Sequence, residues 1–192
     1  MYLFRYADDF LVCFQHRDEA QEFLRQLKGR LEQFHLALSE SKTQLVAFGR
    51  FAREDAQRKG KNLQTFEFLG FTHYSGISRK GYFKVKRQTS RKKIRASLQK
   101  HTEWLKKHRH RLKTGALLRL AKLKLVGHLN YYFITDNGPR CKAFRIQFMR
   151  RLFKWLNRRS HTWEQYFQAL SWVGWPLVRR VHDLSPFARS RP

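Results

Sequence analysis

The chain has 192 residues, with 41 Lys or Arg against 14 Asp or Glu, a formal charge of +27. Apolar residues make up 42% and aromatics 15%, too many for a disordered basic tail, and so large a charge excess points to a polyanionic partner. No apolar run approaches bilayer length, the N-terminal MYLFRYADDF lacks a signal-peptide pattern, and Cys13 and Cys141 give neither a disulfide framework nor CxxC metal spacing.

The expectation is therefore a soluble, intracellular, nucleic-acid-associated protein with no membrane partner. It would be cytoplasmic in a bacterium, with an organelle left open by the sequence. Phe4 and Tyr6, then Leu11, Val12, Cys13 and Phe14, are strand formers flanking Ala7-Asp8-Asp9, so the chain opens as strand, tight turn, strand. Asp18 is placed to cap a helix, with Gln21 three residues on, and Phe23, Leu24, Leu27, Leu31 and Phe34 fall at helical spacing. Residues 44–48 and 66–71 read as further strands, and the polar stretch 49–64 is the most linker-like segment. A hairpin turning near Arg79-Lys80-Gly81 comes next.

From Thr89 onward the pattern is helical. Ile94, Leu98 and Leu105 share one face, and Thr114 opens a second helix through Leu117, Ala121 and Leu125. Pro139 suits an early helical position, ahead of Phe144, Phe148, Leu152 and Trp155. Thr162 and Gln165 could box a short fourth helix, broken at residues 172–176, with a loose tail after Ser185. The fold class expected is α+β, in two parts, 1–86 and 87–192. Charge follows a similar division. The first 70 residues hold 11 basic and 10 acidic side chains, and the remaining 122 hold 30 and 4.

Two features carry chemistry. Asp8 and Asp9 repel one another unless a cation is near, and magnesium (Mg2+) prefers carboxylate oxygens together with substrate phosphates. On the dipeptide alone an ordinary Asp-rich hairpin turn is the preferred reading. The second feature is the run Arg87, Arg91, Lys92, Lys93, Arg95, Lys100, Lys106, Lys107, Arg109 and Arg111, crowded on the first long helix. Glu103 is the only acid between Phe68 and Leu112, which favours phosphate binding over a merely solvated face. Tyr131, Tyr132, Trp155 and Trp163 could stack on unpaired bases, although aromatics at helical spacing are more often core, and Trp155 is read as core. His101 and His108 are about 10 Å apart along a helix, too far to share a metal ion.

Tyr6-Ala7-Asp8-Asp9-Phe10, preceded by Phe4-Arg5, resembles the YADD palm motif of reverse transcriptases. Leu38-Ser39-Glu40-Ser41-Lys42-Thr43 resembles the L-S-x-x-K-T segment that follows, and Phe66-Glu67-Phe68-Leu69-Gly70-Phe71 the FxFLGF primer grip. Gly127-His128-Leu129-Asn130-Tyr131-Tyr132 is similar to the G-x-x-N-Y-Y of the group II intron maturase region, and residues 151–163 to that region's later helix and loop. The chain is thereby identified as similar to the C-terminal part of a group II intron-encoded reverse transcriptase/maturase. The resemblance implies the end of a palm over 1–86 and a thumb/maturase domain over 87–192.

It also implies the chemistry of an RNA-directed DNA polymerase, a nucleotidyltransferase. Carboxylate-held Mg2+ ions activate a primer 3′-hydroxyl and stabilise the leaving pyrophosphate. Asp8 and Asp9 would be the catalytic metal ligands. Lys42 would lie near the incoming nucleotide's phosphates, and Leu69 and Gly70 in the primer grip. Arg158 and Arg159 would join the nucleic-acid-binding set, and the partners implied are group II intron RNA and an RNA/DNA primer-template. Plain readings stand beside these: Lys42 as a solvated lysine before a strand, Leu69-Gly70 as a buried strand corner.

The chain starts seven residues before Asp8, and the fingers and the palm strand that supplies a further catalytic aspartate have no counterpart in it. The expectation is that the chain alone lacks polymerase activity, and that a missing segment or second chain would complete the site. No endonuclease domain is expected. The alternatives are a non-catalytic RNA-binding splicing module and a degenerate relic.

Overall fold

A computed structural model describes residues 1–156. The fold is α+β, and the chain divides into two compact units between Lys86 and Arg87.

The first unit opens with strands β1 (Tyr2–Tyr6) and β2 (Asp9–Cys13). They pair antiparallel from Tyr2↔Cys13 to Tyr6↔Asp9, leaving Ala7-Asp8 as a two-residue connection. Helix α1 (Arg17–Glu32) buries Ala20, half-buries Phe23, Leu24, Leu27 and Leu31, and sets Phe23 against Phe14 with ring centroids 5.3 Å apart. Phe34 lies beyond the helix and is exposed. Asp18 is not the cap. The helix starts at Arg17 after an extended His16, with no side-chain cap bond, so Asp18 acts through its charge in the first turn.

The strand expected over 44–48 does not form. The Ala47 amide donates to Oε1 of Gln64 at 2.7 Å instead of to a neighbouring strand. The linker-like stretch 49–64 contains a short helix, α2 (Ala52–Arg58), closed by an Arg58–Asp55 ion pair at 2.7 Å.

A three-stranded sheet follows in the order β3 (Phe66–Phe68), β4 (Phe71–Ile77), β5 (Phe83–Thr89). The strand expected over 66–71 is thus two strands, because Leu69 (φ +51°) and Gly70 (φ +80°) turn the chain between the paired Phe68 and Phe71. Two consecutive positive φ values belong to the turn whose twist matches a hairpin. Across that pair Phe66 stacks flat on His73 at 4.8 Å. The β4–β5 connection at Arg79-Lys80-Gly81 is as expected. The Gly81 amide donates to the Ser78 carbonyl and Gly81 takes φ +82°, a three-residue loop ending in a left-handed glycine.

The described residues of the second unit pack three helices, α3 (Arg91–His108), α4 (Thr114–Tyr132) and α5 (Gly138–Leu156). Their stripes meet in one cluster built on Leu98 and Leu105, on Leu117, Ala121, Leu125 and Leu129, and on Phe144, Phe148 and Leu152. Pro139 stands second in α5, where its missing N–H is harmless. The helical pattern starts two residues later than Thr89. Thr89 ends β5, where its amide donates to Oδ1 of the buried Asn137 at 2.8 Å. Nδ2 of Asn137 donates to Thr89 Oγ1 at 2.6 Å and to the Tyr132 carbonyl at 2.7 Å, so one amide ties the strand end to the α4–α5 turn. The fourth-helix box Thr162/Gln165, the break at 172–176 and the tail after Ser185 lie outside the described residues.

Candidate active site and nucleic-acid interface

The acidic pair sits where the local backbone is tightest. Ala7 takes φ +50°, a left-handed value that a residue with a Cβ adopts at a cost of about 1 kcal/mol. The Arg5 Nε donates to the Ala7 carbonyl at 3.0 Å, steadying the turn. Asp8 is at the tip, and Asp9 starts β2 opposite Tyr6. Both carboxylates are exposed, and neither belongs to an ion pair among the described residues.

The strands that carry the pair are also uncovered. Tyr2 is 75%, Tyr6 65% and Phe4 55% exposed, and a two-stranded ribbon is marginal in water by itself. Among the described residues no group of three or more His, Cys, Asp or Glu could hold a metal ion. As a donor set the pair still suits one Mg2+, which takes one or two carboxylates and fills its remaining positions with water and phosphate oxygens.

Lys42 is exposed, in a tight turn where the Lys42 and Thr43 amides both donate to the Ser39 carbonyl, at 3.0 and 2.9 Å. Lys28 Nζ reaches Glu40 at 3.3 Å and tethers that turn to α1. Leu69 and Gly70 are half-buried at the β3–β4 turn. A leucine held at φ +51° is sterically strained, and such strain gathers at functional turns.

In the second unit the core stripe of α3 forces its remaining positions outward. Arg91, Lys92, Lys93, Arg95, Lys100, Lys106 and Lys107 are all exposed. The first turn contains no acid, so its cations add to the positive end of the helix dipole. An open groove of about 460 Å³ runs along Arg91, Lys92, Arg95 and Gln99.

Three residues of the expected basic set are not in this helix. Arg87 lies on β5 and is exposed, Arg109 is the C-cap, and Arg111 belongs to the α3–α4 connection. Arg109 is half-buried, because its guanidinium lies 4.8 Å from the Trp155 ring centre, with Lys106 Nζ over the same ring at 5.4 Å. Arg158, Arg159 and Trp163 are outside the described residues.

Of the aromatics proposed for stacking, Tyr131 is exposed, while Tyr132 and Trp155 are half-buried. His101 is buried flat against Phe148, ring centres 3.6 Å apart, and His128 lies on Phe144 at the same distance. Burial, with Lys124 and Arg151 nearby, holds His101 down to about 3, and burial holds His128 down to about 4. These imidazoles are neutral packing groups. The sequence reading missed the basic and aromatic side chains gathered at residues 50–53 and at the β4–β5 loop, because cations and rings scattered over 30 residues make no pattern until the sheet folds.

Residues 1–73 match the family model described as Reverse transcriptase (RNA-dependent DNA polymerase). The N-terminal segment carries the reverse-transcriptase pattern. The matched span includes Asp8, Asp9, Lys42, Leu69 and Gly70, and ends within β4. Neither a curated protein nor a solved structure matches the chain. No helix among the described residues is long and apolar enough to cross a membrane.

Proposed function

We propose that this chain is the C-terminal portion of a group II intron reverse transcriptase/maturase, which grips intron RNA and primer-template and assists splicing and mobility. The observation that carries this reading is the reverse-transcriptase match over residues 1–73, with Asp8-Asp9 at a hairpin tip, in the same chain as a helix whose exposed side is cationic and whose first turn has no acid. In this reading Asp8 and Asp9 hold Mg2+, which supplies charge neutralisation at the reacting phosphate. Lys42 serves the nucleotide's phosphates, and Leu69-Gly70 brings backbone close to the primer end. Arg87, Arg91, Lys92, Lys93, Arg95, Lys100, Lys106, Lys107 and Arg111 bind backbone phosphates. Arg109 contributes chiefly by packing on Trp155. The protein works in the cytoplasm, on nucleic acid.

A second reading, a non-catalytic RNA-binding module, is favoured by one observation. The acidic pair has no third acidic, His or Cys neighbour among the described residues. A further palm segment or a second chain would supply it and would cover the exposed β1–β2 ribbon. Magnesium-dependent primer extension and intron-RNA binding separate the two. With a completing palm segment or second chain added, the polymerase reading expects extension that Asp8→Ala abolishes, and extension that survives the change would overturn it. The binding-module reading expects RNA affinity to survive Asp8→Ala and to fall when Arg91, Lys92 and Lys93 become alanine.

A further inference from the structure

We infer that the first unit carries a second, separate contact for nucleic acid: a stacking cleft for an unpaired strand, built by the Arg50–Arg53 segment and the β4–β5 hairpin. The inference rests on the nucleic-acid reading above, but on none of its residues. The cleft holds about 290 Å³, close to the lower bound for small-ligand sites. Arg50, Phe51 and Arg53 line it from one segment, and Ile77 and Phe83 from the hairpin, with Glu54 as its one acid.

Its rings are unusually open for apolar side chains. Phe51 is 60% exposed, Phe83 40%, and the adjoining Tyr82 72%. The Arg50 guanidinium lies 5.0 Å from the Phe51 ring centre, which leaves a cation beside an aromatic face. At the hairpin tip Arg79 and Lys80 add two exposed cations. Tyr82 is fixed there by its amide, which donates to Ser78 Oγ at 3.1 Å, and by its carbonyl, which accepts from the Ser78 amide at 2.8 Å. Gly76 keeps the wall low. A Cβ there would stand 2.6 Å from Cδ of Lys86, so the lysine stem crosses the strand at that point.

Rings interleaved with cations are what an unpaired strand needs. Every base offers a face to stack on, and phosphates follow the guanidinium and ammonium groups. A duplex keeps its base faces inside the stack and gains only the charge. The cleft therefore selects single strands, whereas the cationic side of α3 binds phosphates of either form.

The test is a fluorescence-anisotropy titration of the full chain with a labelled 12-nucleotide uridine strand and with an abasic strand of equal length. The wild-type chain is expected to bind the base-bearing strand about tenfold more tightly. The double substitution Phe51→Leu with Tyr82→Leu, at two exposed positions, should erase that preference and leave abasic binding unchanged. Replacing Arg91, Lys92 and Lys93 by alanine should weaken both strands equally and keep the preference. Equal affinity for the two strands in the wild type, or a preference that survives the double substitution, overturns the cleft while sparing the nucleic-acid reading. Failure of the wild type to bind either strand overturns both.

Discussion

Gly70 holds φ +80° between the paired Phe68 and Phe71, so a Cβ there must sit in the left-handed region. Gly70→Ala is expected to lower stability by about 1 kcal/mol, read from the urea midpoint. Asn137 is more demanding, since it is wholly buried and serves Thr89 twice and Tyr132 once. Asn137→Ala takes the acceptor from the buried Thr89 amide and the donor from the Thr89 hydroxyl and should cost about 3 kcal/mol. Asn137→Asp would fare no better, because a carboxylate cannot donate to the Thr89 hydroxyl or the Tyr132 carbonyl. The buried His101 and the half-buried His128 set a pH dependence. Their folded values, about 3 for His101 and about 4 for His128, lie below the ordinary 6.5, so protons bind the unfolded chain first. Stability is complete above about pH 6.5 and is lost as pH falls toward 4, on the order of 2 kcal/mol per histidine by pH 4.5. Urea midpoints at pH 7.5 and 4.5 check this, and His101→Phe should shrink the difference.

At the scale of elements, α3 trades its own stability for surface charge. An acid in a first turn stabilises a helix by about 0.3–1 kcal/mol, and this first turn has none. Lys92→Glu with Lys93→Glu should therefore raise the melting temperature while weakening RNA binding. An unchanged affinity would show that this turn does not face the phosphates. The helices were legible in the sequence because their apolar residues recur at a fixed period: Leu98 and Leu105 in α3, Phe144, Phe148 and Leu152 in α5. Residues 44–48 have the composition of a strand but no partner. Strand formation depends on a neighbour that no local pattern encodes, and Gln64 takes the Ala47 amide instead. The Leu69-Gly70 turn was legible only as a strand corner, because leucine rarely adopts positive φ. The acidic pair and the cationic run were legible as charge, but the shielding of Arg109 by Trp155 needed the fold.

Across the whole chain, burial is uneven. Among the described residues, the second unit packs twelve buried apolar side chains into one cluster, whereas only Ala20 and Phe71 are buried apolar residues in the first. Amide exchange should accordingly be slowest at Leu125, Leu129, Phe144 and Phe148 and fastest in the β1–β2 ribbon. Exchange in the ribbon as slow as in α4 would mean that something covers it.

The same division places the acidic pair and the cationic helix in different units, and the proposed function stands on the helix. Its most direct test is the salt dependence of binding to a group II intron RNA, for the wild-type chain and for the variant with Arg91, Lys92 and Lys93 changed to alanine. Each phosphate contact contributes about 0.7–0.9 to the slope of log affinity against log salt. A steep linear slope is expected for the wild type, reduced by about 2 in the variant. Equal slopes for the two proteins would contradict it.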